Sequence, residues 1–294
     1  MRPPRAALSA VVQSYNREAI IGTCLRALAF ADEVVLVDKS STDGTVREAA
    51  RHVDRVVQVP WSPFCEMTRP LALEQCRHDW ILLLDDDECL NAEAVLWIDE
   101  ELRAPRADSY SFPLRHFVLG EHDERAYFWP EHHMRLFRRG EATIGTVVHG
   151  GVAAASARTY QVPIETGACI MHLSHQDSAQ WIEKTNRYTS QPGRLGRSEA
   201  GADLWAFAHA RLDHWAAQGK VSGDGYVDAV GVLRAVYDIV DAVKGWEQAR
   251  PGLDGPGMLA RTCRELDESY CERLAGLALP RAGASGAARA DATP

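Results

Sequence analysis

The stretch "WILLLDDDECLNAEAVLWIDEEL", residues 80–102, runs five apolar residues into three aspartates and a glutamate, then returns to an apolar pattern. The apolar run has strand length, and the residues after Asn91 recur at helical spacing, with Asn91 placed as N-cap. Four neighbouring carboxylates repel one another and need a counter-charge. Asp85 and Asp87 form a D-x-D pattern that can converge on a divalent cation, Mn²⁺ or Mg²⁺. Such hard cations take carboxylate oxygens together with substrate phosphates. The competing reading is an acidic helix start favoured by the macrodipole.

Upstream the alternation repeats. Residues 7–13, 33–38 and 55–60 read as strands, and residues 16–30 and 69–78 as helices, the first capped by Asn16 and the second with Pro70 near its start. Asp43-Gly44-Thr45 reads as a turn and helix cap. Continuous apolar strands alternating with helices predict an α/β fold whose sheet is mostly parallel and covered on both faces. Ligands bind beyond the carboxyl ends of such strands. The loops at 13–16, 38–45 and 85–88 are therefore expected to share one site.

After Ala104 the pattern changes. Residues 108–120 alternate like an exposed strand, and 126–152 are rich in aromatic, His and Arg residues. Residues 177–191 predict a helix with Asp177 as a cap, and 226–243 an amphipathic helix whose polar face carries Asp228, Asp238 and Asp241. That acidic face disfavours anionic lipid and suits packing on the catalytic part or on a dimer partner. The expected organisation is a catalytic domain over 1–175, a helical region over 176–279 packed on it, and a disordered tail over 280–294.

The 294 residues carry a net charge of −9, which argues against nucleic acid as the partner. Seven cysteines without C-x-x-C spacing indicate neither a disulfide framework nor a zinc site, and a reducing cytoplasm fits. The start lacks the apolar run of a signal peptide, and no stretch reaches the ~18 apolar residues of a membrane span.

The motifs "VVQSYNRE" (11–18), "VVLVDKSSTDGT" (34–45), "RPLALEQCRHDWILLLDDDE" (69–88) and "MRLFRRG" (134–140) resemble those of glycosyltransferase family 2, inverting nucleotide-sugar transferases of GT-A fold. The segments "IMHLSHQDSAQWIEKTNRYTS" (170–190) and 218–247 resemble the branch of lipopolysaccharide core β-glucosyltransferases. The resemblance extends over residues 8–247. It implies a GT-A sheet with a C-terminal helical extension, a nucleoside diphosphate sugar as donor, and a divalent cation. The acceptor it implies is a cell-surface glycan or a small molecule. It further implies a cytoplasmic protein, with peripheral contact at the inner membrane face and a homodimer as candidate associations.

By resemblance, Gln13, Ser14 and Tyr15 line the base and ribose pocket, Asp38 contacts the nucleoside, and Arg69 faces the diphosphate. Asp85 serves ribose and metal, and Asp87 the metal. Asp86, in the variable middle place, is expected to face solvent and to be replaceable. His172 reads either as a third metal ligand or as a structural histidine. Glu131 is the first candidate for the base that an inverting transfer requires, the other reading being a surface carboxylate paired with Arg135 or Arg138. His149 and Arg135 complete the catalytic candidates. Lys184 and Arg187 read as closing over the donor or as solvated. Lys39, Pro70 and Gly150 depart from the family pattern. A nucleotidyltransferase and a catalytically degenerate binding module are the competing readings.

Overall fold

The computed structural model describes residues 3–145, 151–190, 203–249 and 255–273. The expected disordered tail and His149 lie outside the described residues. The chain forms two compact units, Met1–Gly245 and Trp246–Pro294.

In the first unit, strands and helices alternate as the apolar runs dictate: β1 (Leu8–Ser14), α1 (Ile21–Arg26), β2 (Glu33–Asp38), α2 (Thr45–Ala49), β3 (Arg55–Gln58), α3 (Arg69–Glu74), β4 (Trp80–Asp85), β5 (Glu88–Leu90) and α4 (Ala92–Glu101). There follow β6 (Ser109–Val118), β7 (Glu131–Arg138), β8 (Ala142–Ile144), β9 (Val152–Ala154), β10 (Thr159–Gln161), β11 (Ile170–His175), α5 (Ser178–Thr189), α6 (Leu204–Gln218) and α7 (Gly225–Gln248). The second unit contains α8 (Gly255–Arg273), which exposes Met258, Leu259 and Leu266.

The main sheet has the order β3-β2-β1-β4-β7-β6-β11-β5, with β10 also on β6. The first four strands are parallel, β7 runs antiparallel to both its neighbours, and β11 is parallel to β6. Side chains alternate across the pleat. Leu8, Ala10 and Val12 of β1, with Leu82 and Leu84 of β4, enter one core, while Val11, Ile81 and Leu83 enter another on the opposite face. Both faces are covered, which is why these runs are continuously apolar. Register aligns the strand ends: Ser14 is beside Asp38, and Gln13 beside Asp85.

Two local expectations are corrected. Residues 109–118, expected to be exposed, form β6 inside the sheet between β7 and β11, with Tyr110, Phe112 and Leu114 fully buried. One side of β6 carries the buried Tyr110, Phe112 and Leu114, and the half-buried Ser111, Arg115 and Phe117 of the other side produce the alternation. Asn16 does not cap α1, which begins at Ile21. Its backbone is left-handed, with φ 52°, a conformation that Asn tolerates. The Asn16 backbone N–H donates to Ser41 Oγ at 2.9 Å, and the Thr42 N–H donates to Asn16 Oδ1 at 2.8 Å. These bonds fasten the β1–α1 loop to the β2–α2 loop. Asn91 and Asp177 do cap α4 and α5, accepting from Ala94 N and Gln180 N.

A third cluster, of Val118, Phe128, Trp129, Trp181 and Val230, packs α5 and α7 against the β6–β7 connection. Tyr226 Oη donates to the carbonyls of Val118 and Glu121 at 3.0 and 2.7 Å. The face of α7 that carries Val227, Val230 and Ala235 is thus covered by the chain itself.

Candidate active site

The carboxyl ends of β1 and β4, the 62–69 connection, β7, β9, β11 and α5 enclose a cavity of about 940 Å³. Gln13, Tyr15, Arg69, Asp85, Asp87, Glu131, Arg135 and His172 all line it. Ser14 and Asp38 do not. Both are fully buried beside lining residues, with Ser14 Oγ and Asp38 Oδ1 unpartnered. Gln13 donates through Nε2 to Cys65 O at 3.0 Å and to Thr68 Oγ1, leaving Oε1 unpartnered. Asp38 Oδ2 accepts from Ser41 N at 3.1 Å, and Asp43 Oδ1 accepts from Thr45 N at 2.9 Å as a turn cap should. Tyr15 meets Trp61 edge to face, with ring centroids 6.2 Å apart.

The three aspartates divide differently from expectation. Asp86 is not a solvent-facing side chain. It accepts from Tyr15 N and from Arg17 Nε, each at 3.0 Å, and so clamps the first ligand-facing loop. Burial pushes its carboxyl up, and the Arg17 guanidinium only partly offsets this. Asp87 accepts from Arg17 Nη2 at 3.1 Å and Lys184 Nζ at 3.4 Å, and His172 Nε2 lies 3.4 Å from its Oδ1. Burial alone would raise Asp87, but His172 and Lys184 outweigh it and hold the carboxyl well below the usual range. Asp85 lies 3.3 Å from Arg69 Nη2 and 3.4 Å from Arg135 Nη2. Those two guanidiniums outweigh burial and keep Asp85 ionised. The protein's own cations therefore supply the counter-charge that the acidic run demands.

Arg135 is bidentate on Glu88, with Nε to Oε2 at 2.7 Å and Nη2 to Oε1 at 2.6 Å. Arg138, on the other face of β7, pairs with Asp79 away from the cavity. Lys184 is buried on α5 and also donates to Ser174 O at 2.8 Å. Lys39, 8% exposed, lines the cavity and has no carboxylate partner among the described residues.

Glu131 pairs with neither Arg135 nor Arg138. Its Oε1 lies 2.9 Å from His133 Nε2 and its Oε2 3.0 Å from His116 Nε2. Burial pushes Glu131 up, but the two imidazoles outweigh it and hold the carboxyl far below its ordinary range. His172 engages Asp87 through Nε2 and His116 Nδ1 through Nδ1, the latter at 2.8 Å. Both ring nitrogens of His172 thus face partners within the protein. Burial lowers His172, yet the adjacent Asp87 carboxylate more than offsets it, so the imidazole is easier to protonate than usual.

Among the described residues no three His, Cys, Asp or Glu side chains converge into a metal cage. The donor chemistry nevertheless fits a hard cation. Asp85 and Asp87 offer two carboxylates at one strand end, and Mg²⁺ is typically held by one or two carboxylates plus substrate phosphates and water. Such a site is completed by the diphosphate rather than by further side chains.

Arg17, His116 and His133 were not singled out from the sequence. Arg17 lies in a ligand-facing loop, a usable signal. His116 lies in a strand read as exposed and carried none.

Glycosyl transferase family 2 matches residues 9–162, just over half of the chain. A lipopolysaccharide core biosynthesis glycosyltransferase, LpsC, of Rhizobium meliloti (strain 1021) is 28% identical over 200 residues, covering 64% of this chain and 70% of that one. An uncharacterized glycosyltransferase of Rickettsia bellii (strain RML369-C) is 26% identical over 196 residues, covering 64% and 66%. The crystal structure of S. aureus TarS superposes with a TM-score of 0.43 at 17% identity, covering 80% of this chain and 54% of that one. With the matched span running from the first strand past the acidic loop to β10, the chain belongs to glycosyltransferase family 2.

Proposed function

We propose that this glycosyltransferase moves a sugar, with inversion, from a nucleoside diphosphate sugar to an acceptor hydroxyl, with a Mn²⁺ or Mg²⁺ ion held at Asp85 and Asp87. The observation that carries the reading is the placing of both D-x-D carboxylates in the wall of a 940 Å³ cavity that also presents Arg17, Arg69, Lys184 and Glu131. The cation, when bound, would neutralise charge developing on the leaving diphosphate. The guanidiniums and ammonium of Arg17, Arg69 and Lys184 suit the same phosphates. At the nucleoside end, Tyr15 offers an aromatic face. Unpartnered Gln13 Oε1 is a buried polar atom of a cavity-lining side chain that a base or ribose would satisfy, while Ser14 and Asp38, which do not line the cavity, remain candidates on the family pattern alone.

In the transfer the acceptor oxygen attacks the anomeric carbon, the bond from that carbon to the diphosphate breaks, and the acceptor proton passes to Glu131. Two imidazoles orient Glu131 and keep it ionised, and the same contacts make it a weaker base than a free carboxylate. Arg135 acts by fixing Glu88 and Asp85 beneath the donor. His149 remains a candidate on the family pattern alone.

The name of the Rhizobium meliloti relative supports a cell-surface glycan, such as a lipopolysaccharide core, as the acceptor class. No described helix is long and apolar enough to cross a membrane. Work at the inner membrane face by peripheral contact accords with such an acceptor. The nucleotide-sugar site is proposed to be built mainly from residues 1–175, with Lys184 of α5 contributing to its wall.

The test is hydrolysis of a nucleotide-sugar panel with Mn²⁺, Mg²⁺ or EDTA, for the natural chain and for Asp87→Ala. Turnover that needs the metal and is lost in Asp87→Ala is expected. Turnover indifferent to EDTA refutes the cation. Donor binding without any turnover points to a binding module, and pyrophosphate release from a nucleoside triphosphate and a sugar phosphate to a nucleotidyltransferase.

A further inference from the structure

We propose that His116 is a positioning residue that holds the Glu131 carboxylate in place and ties it, through His172, to Asp87. This rests on the reading of Glu131 as the proton acceptor. In the sheet, β6 lies between β7 and β11. Register sets His172 of β11 directly beside His116, and Glu131 of β7 opposite Leu114, one diagonal step from His116. Side chains two residues apart on a strand share a face, so Glu131, His116 and His172 form a row across three strands.

The contacts along that row are continuous. Asp87 Oδ1 is 3.4 Å from His172 Nε2, His172 Nδ1 is 2.8 Å from His116 Nδ1, and His116 Nε2 is 3.0 Å from Glu131 Oε2. The last contact is close but not aligned as a full hydrogen bond. Catalytic contacts of this kind tighten when substrate binds. His116 is 8% exposed, packs on Phe128 with ring centroids 5.3 Å apart, and is absent from the cavity lining. It cannot touch substrate and must act through Glu131. The proton assignment follows from the contacts: a hydrogen on His116 Nε2 faces the carboxylate, and Nδ1 then accepts from His172 Nδ1–H.

Glu131 is half exposed, and His133, its other partner, is about a third exposed. Without the buried imidazole the carboxylate has only this outer partner and its rotamer is released. A misplacement of about 1 Å costs on the order of a hundredfold in rate.

The two ring nitrogens can be tested separately. In His116→Gln the side-chain amide reaches the Nε2 position, towards Glu131. In His116→Asn it reaches the Nδ1 position, towards His172. His116→Phe removes both. The probe is the best-hydrolysed donor of a UDP-, GDP- and dTDP-hexose panel with water as acceptor, read as kcat and KM beside thermal midpoints and Glu131→Gln. The expected result is a tenfold to hundredfold loss of kcat in the Phe and Asn variants, recovery to within about threefold in Gln, and donor KM within twofold throughout. Equal losses in all three variants, or recovery by Asn and not Gln, overturns the proposal. Normal kcat in His116→Phe with an inactive Glu131→Gln also overturns it while sparing Glu131 as base. Normal kcat in Glu131→Gln removes that base reading itself. Imidazole ¹⁵N resonances supply a readout independent of turnover. Glu131→Gln should move the His116 signals and, through them, those of His172. An unmoved His116 resonance refutes the link.

Discussion

Replacing Arg135 by Met should destabilise this protein strongly, apart from any effect on turnover. Arg135 and Glu88 are 7% and 1% exposed in their side chains, joined by two hydrogen bonds of 2.7 and 2.6 Å. In Arg135→Met the Glu88 carboxylate stays buried, with the Asp85 backbone N–H at 3.2 Å as its remaining donor. Breaking a buried pair from one side costs about 3–5 kcal/mol, because the surviving charge is left unneutralised in a medium that solvates it poorly. A single domain is worth only about 5–15 kcal/mol in total. At about 2–4 °C per kcal/mol for a chain approaching this size, the thermal midpoint should fall by roughly 6–20 °C. Removing both charges is a different perturbation. Arg135→Met combined with Glu88→Leu buries two apolar side chains and should recover most of the lost stability. Donor hydrolysis should stay low in this double variant, because Asp85 has lost one of its two guanidiniums. Urea unfolding followed by circular dichroism measures both variants. A loss under about 1 kcal/mol in the single variant, or a double variant no more stable than the single, refutes the reasoning.

Other outcomes follow from the same geometry. Asp86→Ala should weaken nucleotide binding by about tenfold or more, since a charge-assisted hydrogen bond to Arg17 and one from Tyr15 N are lost together, each worth about 1–3 kcal/mol. Calorimetric titration with nucleoside diphosphates reads this directly, and unchanged affinity would restore Asp86 to a dispensable place. Lys39→Met should lower nucleoside diphosphate affinity by about tenfold, because an ammonium in the cavity wall without a carboxylate partner is available to an oxygen of the ligand. A thermal-shift titration with equal stabilisation of both proteins would contradict it. His175 is pushed down to about 3 by burial, with Lys184 adding to the effect. The unfolded chain, with an ordinary histidine, takes up that proton first. Stability should therefore decline as pH falls from about 6.5 towards 3, at up to about 1.4 kcal/mol per unit for this one group. His175→Gln, which cannot take the proton, should flatten that slope in urea unfolding across the range, and an unchanged slope assigns the acid loss elsewhere.

Much of the first hundred residues is legible because β1, β2 and β4 are buried on both faces. Glu33–Asp38 and Trp80–Asp85 end where their apolar runs meet a charge, and Asn91 and Asp177 occupy the caps their chemistry favours. Legibility fails where a residue answers to a neighbour distant in the chain. Asn16 has the composition of an N-cap, yet the β2–α2 loop takes its hydrogen bonds and draws it into a left-handed turn. β6 alternates as an edge strand would, yet β7 and β11 enclose it.

The same limit separates the two halves of the site. The sequence alone determines the α/β alternation, the acidic run at the end of β4 and, through its motifs, the family. Those depend on spacing along one segment. Only the tertiary structure decides which partner answers each carboxylate: Arg17 to Asp86, Arg135 to Glu88, Lys184 to Asp87, and two histidines to Glu131. The partners lie up to 97 residues apart in the chain. Charge pairing acts through space over a few ångströms. The acidic stretch announces that counter-charges are needed, and the packing of β6, β7, β11 and α5 around it selects them.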